Sequence, residues 1–134
     1  MQSSHALIFP MFVHVAWTFL LYGALTVARA PVVWKFGLSV DGKNPFADIE
    51  PRVSANLRNQ FEWPLFFHIV CLLLIVNPTW FTPVHVALAW VFITGRLLHS
   101  LVQVFTANVR ARGLVFTINF LAVLAMWILV VFGR

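Results

Sequence analysis

Three long stretches of this chain exclude charge, and that exclusion limits the folds open to it more than any other feature. Residues 1–28 contain no Lys, Arg, Asp or Glu, and residues 113–133 contain none either. Between Phe61 and Val109 only Glu62 and Arg96 are charged. A soluble domain carries about 25% charged residues. Here the figure is 10%, with 61% hydrophobic residues and a mean hydropathy of +0.90. Each stretch reaches the roughly 20 apolar residues that cross a bilayer as a helix. The chain therefore reads as an all-α integral membrane protein.

The punctuation within residues 1–134 gives a single domain of four spans, at about 6–28, 60–77, 83–108 and 114–132. Arg29-Ala30-Pro31 is an expected stop for the first, since an interfacial cation precedes a helix breaker. Residues 30–50 hold Gly37, Asp41-Gly42-Lys43-Asn44-Pro45 and Asp48, so they read as a loop. Pro51, preceded by Asp48 and Glu50, suits a first helical turn. A helix is expected from Pro51 to about Val76, its first three turns interfacial and Pro64 kinking it. Thr82-Pro83 supplies an N-cap and first residue for the third span. Gly113 breaks the pattern before the fourth, which has Arg134 at its far end.

The first connection, Arg29 to Arg58, carries five Lys or Arg; the second, Asn77 to Pro83, carries none; the third holds Arg110 and Arg112. The positive-inside rule then places the first and third connections in the cytoplasm and both termini outside.

Against that background one run of polar residues stands out. Arg52, Asn56, Asn59 and Glu62 recur every three or four residues, so a helix puts them on one face as it enters the bilayer. On the third span Arg96, His99 and Gln103 continue a face at similar spacing, with Arg110 one heptad beyond Gln103. Glu62 and Arg96 have opposite signs, and pairing would offset part of the cost of burying either. Interhelical glue or snorkelling explains Arg29, Arg58 and Arg112 well. It explains Asn59, Glu62, Arg96, His99 and Arg110 less well. Cations, one carboxylate and amides at one level suit a zwitterionic, carboxylate-rich small molecule.

Other functions find little support in the residues. The net charge of +5 comes without a basic run or aromatic-interleaved surface, which argues against nucleic acid. His5, His14, His68, His85 and His99 show no paired metal-ligand spacing, so no metal is expected. The single Cys71 lies in a span and reads as a packed hydrophobe, and His14 as a histidine facing another helix through one hydrogen bond. No basic n-region precedes the first apolar run, so a cleaved signal peptide is not expected.

The pattern Arg52-x6-Asn59-x2-Glu62-x-Pro64, opening the second of four spans, resembles the signature of the membrane-associated proteins in eicosanoid and glutathione metabolism, the MAPEG family. Arg96-x2-His99 followed by Arg110 resembles that family's pattern in the third span. The resemblance implies a homotrimeric four-helix bundle that binds glutathione as co-substrate between subunits at the cytoplasmic edge. Asn59 and Glu62 would hold the glutathione backbone, with Asn56, Arg96, His99 and Gln103 on the same faces. Arg52 and Arg29 would neutralise its carboxylates, and Arg110 would lie beside the sulfur, where a cation favours the thiolate. A lipophilic electrophile would arrive from the surrounding lipid. Ala55 stands where many active members have a second Arg, and His99 and Gln103 where eicosanoid-forming members have Tyr. Pro64 also follows Glu62 more closely than in those enzymes. These differences point to a divergent, bacterial-type member in an inner membrane. The implied activity is that of a glutathione transferase or peroxidase. The alternatives are a non-catalytic lipid- or partner-binding member and, third, a small four-span exporter.

Overall fold

A computed structural model describes residues 3–133, so Arg134 lies outside the described residues. The described chain is all helical. A 3-10 turn at Ser4–Leu7 leads into α1 (Ile8–Trp34), followed by α2 (Glu50–Asn59), α3 (Pro64–Val76), α4 (Pro83–Phe105) and α5 (Val109–Phe132). Four passes are long and apolar enough to cross a membrane: Ser4–Trp34, Glu50–Val76, Pro83–Phe105 and Val109–Phe132. The shortest has 23 residues, about 35 Å at 1.5 Å per residue, against a hydrocarbon core of about 30 Å.

Three boundaries differ from those expected. The first helix does not stop at Ala28 but runs through Arg29 and Pro31 to Trp34. Pro31 removes only its own N–H, and the helix resumes its ladder until Lys35, at φ 58°, closes it with an N–H to the Pro31 carbonyl at 3.1 Å. The loop is thus shorter than expected, beginning at Lys35; its Gly42, at φ 72°, closes a turn back to the Ser39 carbonyl.

The second pass is not one kinked helix but two. Pro64 opens α3 as its first residue, because it has no N–H to give the Gln60 carbonyl and its ring would strike that carbonyl. Residues 60–63 tighten instead, with Gln60 and Phe61 donating to Leu57 and Arg58 three residues back.

The third helix ends at Phe105 rather than near Asn108. The Thr106 hydroxyl donates to the Val102 carbonyl at 2.7 Å, and the Asn108 side chain accepts the Ala111 N–H at 3.0 Å. This capping starts α5 at Val109, so Gly113 sits inside a helix and Arg110 and Arg112 open α5 instead of closing α4.

Van der Waals packing, not hydrophobic exclusion, must hold helices together in lipid. The main core is built that way, with Phe67 of α3 stacked on Phe92 of α4 at 4.3 Å between ring centres, among Cys71, Leu74, Ile93, Val123 and Met126. Cys71 is buried there and free, as a small hydrophobe would be. A second cluster joins Leu21 and Leu25 of α1 to Val53 and Leu57 of α2 and Val104 of α4. α4 packs closely on α5, where the Asn119 side chain lies directly over Gly95. A methyl group at Gly95 would collide with Asn119 Oδ1. Gly95→Ala is expected to destabilise the protein by about 1–3 kcal/mol, read by denaturant titration in detergent. The double variant Gly95→Ala with Asn119→Ala should recover most of that loss.

A polar end to the bundle

The up-and-down order brings the end of α1, the start of α2, the end of α4 and the start of α5 to one end of the bundle. The α2–α3 break sets the site there. In a continuous helix the Asn59 carbonyl would accept the Trp63 N–H; in the broken one it accepts Arg96 Nη2 at 3.0 Å instead. Arg96 is 1% exposed, and its Nε reaches Gln60 Oε1 at 3.4 Å.

Gln60 is the hub. Its Nε2 donates to the Asn56 carbonyl and to Asn56 Oδ1, each at 3.1 Å, and to Ser100 Oγ at 3.4 Å. A backbone carbonyl only accepts and a guanidinium only donates, so the amide can have one orientation: nitrogen toward Asn56, oxygen toward Arg96. That same oxygen meets His14 Nε2 at 3.1 Å, and His14 Nδ1 meets His68 Nε2 at 3.0 Å. On the other side Gln103 Oε1 accepts from Asn56 Nδ2 at 2.8 Å and from Asn59 Nδ2 at 3.2 Å. Trp17 Nε1 donates to Ser100 Oγ at 2.9 Å. One hydrogen-bonded network thus runs from α1 through α2 to α4.

Two adjoining clefts, sharing Asn59 and Phe116, open beside this network. One, of about 430 Å³, is lined by Ala55, His99, Gln103 and Arg112 together with the shared pair. The other, of about 530 Å³, holds Glu62, Trp63 and Arg96. Trp63 is stacked on Phe120 at 4.4 Å, which fixes one wall. Among the described residues the one ion pair is Arg29–Glu50 at 2.7 Å. The expected Glu62–Arg96 pair is therefore absent there. Glu62 sits in the turn between α2 and α3 with its side chain exposed, although both residues line the same cleft.

The other expected site residues divide. Asn56, Asn59, Arg96, His99 and Gln103 come together, and Asn56 is wholly buried as part of the scaffold. Arg29 is held by Glu50 and by Ser54 Oγ at 3.3 Å. Arg52 is exposed and lines neither cleft. Arg110 is exposed as well; it lies about 100° round α5 from Val109, which faces the first cleft. The cation that does line that cleft is Arg112. His14 makes two hydrogen bonds rather than one, and its partner His68 carried no signal, standing 54 residues away. Gln60 and Ser100 were legible only as the residues four beyond Asn56 and Arg96 on faces already marked polar. Among the described residues no group of three or more His, Cys, Asp or Glu could hold a metal.

A charged, part-open cleft at one end of a bundle with four passes apolar enough to cross a membrane defines the class as an integral membrane protein. Comparison with known proteins narrows the class. The MAPEG family model matches residues 7–132, and the chain belongs to that family. No match was found among the curated proteins or the solved structures.

Proposed function

We propose that the protein is a glutathione-dependent transferase or peroxidase that acts on lipophilic electrophiles at the two adjoining clefts. The observation that carries this reading is Arg96, a buried guanidinium that lines a cleft and has no carboxylate within ion-pair distance among the described residues. Glu62 attracts this charge only from beyond ion-pair distance, so much of the cost of burying it remains for an anionic ligand to lower. A second observation agrees: Arg110 and Arg112 stand on the first turn of α5, where the helix dipole repels cations and attracts anions. Glutathione offers two carboxylates for Arg96 and Arg112, an ammonium for Glu62 and peptide groups for Asn59 and Gln103. In a homotrimer the exposed Arg110 would serve the cleft of an adjoining copy, beside the sulfur.

The test is calorimetric titration of glutathione in detergent, with conjugation of a generic electrophile measured in parallel. Arg112→Ala is expected to weaken glutathione binding by about tenfold or more, the worth of one charge-assisted hydrogen bond. Arg110→Ala should leave binding within about twofold and lower the conjugation rate, because a cation near the sulfur acts on the thiolate. No binding at millimolar glutathione would sink the proposal. A non-catalytic reading draws on one feature, the small Ala55 on the cleft wall. Binding without turnover would select it.

A further inference from the structure

On the opposite side of Gln60 a third cavity, of about 430 Å³, opens between α1 and α3. Val15, Phe19, Phe61 and Leu65 wall it, all exposed apolar residues on the outer surface of the single-chain bundle. Its floor is polar: His14, Gln60 and His68 all line it. His14 and Gln60 are 4% and 3% exposed, so their hydrogen bonds form away from solvent.

The direction of those bonds follows from Gln60. Its oxygen faces His14 Nε2, so that nitrogen carries the proton. Neutral imidazole has one N–H, which leaves His14 Nδ1 an acceptor. His68 Nε2 must then be the donor across the 3.0 Å contact, and His68 Nδ1 is left as a bare acceptor. Among the described residues no group donates to it, and His68 lines the cavity. An acceptor at the end of a fixed chain of donors selects a ligand that brings its own proton.

We infer that the α1–α3 cavity is a second binding site, taking a lipid-soluble phenol whose hydroxyl donates to His68 Nδ1. The volume lies in the range of small-molecule sites. Phe19, Phe61 and Tyr22 at its walls suit an aromatic ring, with Tyr22 and Phe61 already meeting edge to face at 6.3 Å. A ligand offering only an acceptor finds no proton at His68, because reversing the chain would set a bare His14 Nε2 against Gln60 Oε1, and flipping the amide to mend that would turn its NH2 toward the Arg96 guanidinium. The site is independent of glutathione. It adjoins the second cleft across Phe61 and Leu65, which line both, and the polar groups of the two meet at Gln60 Oε1, which Arg96 and His14 share.

The experiment compares para-octylphenol with para-octylanisole, its methyl ether, by calorimetric titration of the full chain in nanodiscs, with empty nanodiscs subtracted. The parent is expected to bind the phenol saturably at one site per chain, about five- to tenfold tighter than the ether, as one neutral hydrogen bond provides. His68→Phe should bring the two affinities level while ether binding stays within about threefold. Val15 is 43% exposed and lines neither cleft, so Val15→Trp fills the cavity without disturbing the core, and it should abolish saturable binding of both probes. It keeps the test decisive where His68→Phe fails to fold. Equal binding of phenol and ether by the parent, a preference that survives His68→Phe, or saturable binding that survives Val15→Trp would each overturn the inference.

Discussion

Arg96→Leu is expected to leave the ligand-free protein no less stable than its parent, to within about 1 kcal/mol, while weakening glutathione binding by at least about 100-fold. The two halves of this prediction come from one fact: the guanidinium is 1% exposed and, among the described residues, no carboxylate lies within ion-pair distance. Its removal relieves the desolvation of a buried charge, at the loss of two hydrogen bonds, to Gln60 and to the Asn59 carbonyl. Leucine retains much of the apolar packing of the side-chain stem. For a bound anion nothing offsets the loss. Denaturant titration without ligand and calorimetry with glutathione read the two quantities separately. A large loss of stability with binding intact would mean that Arg96 is interhelical glue and that the anion site lies elsewhere.

Gln60→Leu is expected to act in the opposite sense, costing about 3–5 kcal/mol of stability with or without ligand. Leucine matches glutamine in size but satisfies nothing. Arg96 Nε, His14 Nε2 and Asn56 Oδ1 would each lose a partner in a region where water does not reach them. Gln60→Glu is the informative companion. It restores an acceptor to Arg96 and His14 and adds a countercharge, so it should recover part of the stability. The same carboxylate would compete with an incoming anion, and glutathione affinity should fall. A Gln60→Leu protein as stable as the parent would show that the network is incidental.

The four passes were legible because the penalty for charge in hydrocarbon leaves its mark on residues 1–28 and 113–133 directly. The faces bearing Asn56, Asn59, Arg96, His99 and Gln103 were legible for the same reason, as polar groups at helical spacing in apolar surroundings. What escaped depends on where helices stop. Pro64 announces a disturbance but not whether the helix bends through it or restarts upon it. The structure restarts it, and this alone turns Glu62 outward and frees the Asn59 carbonyl for Arg96. Thr106 and Asn108 look like two ordinary polar residues until their side chains are seen closing α4 and opening α5. That three-residue shift moves Arg110 off the expected face and brings Arg112 to the cleft. The His14–His68 pair has no local signature, since the spacing that joins it is set by packing alone.

The interruption between α2 and α3 also bears on how such a chain enters a membrane. With 13 residues, α3 is about 20 Å long, too short to cross about 30 Å of hydrocarbon alone. The remainder of that pass must come from α2, whose Asn56 and Asn59 bond to Gln103 of α4 and whose Ser54 bonds to Arg29 of α1. At the moment of synthesis α4 does not yet exist. The second segment leaves the ribosome as a poor passenger for lipid, sheltered on one side by α1 and unsheltered on the other. Its full insertion is completed by a helix translated after it, so biogenesis couples segments that hydropathy alone would treat as independent.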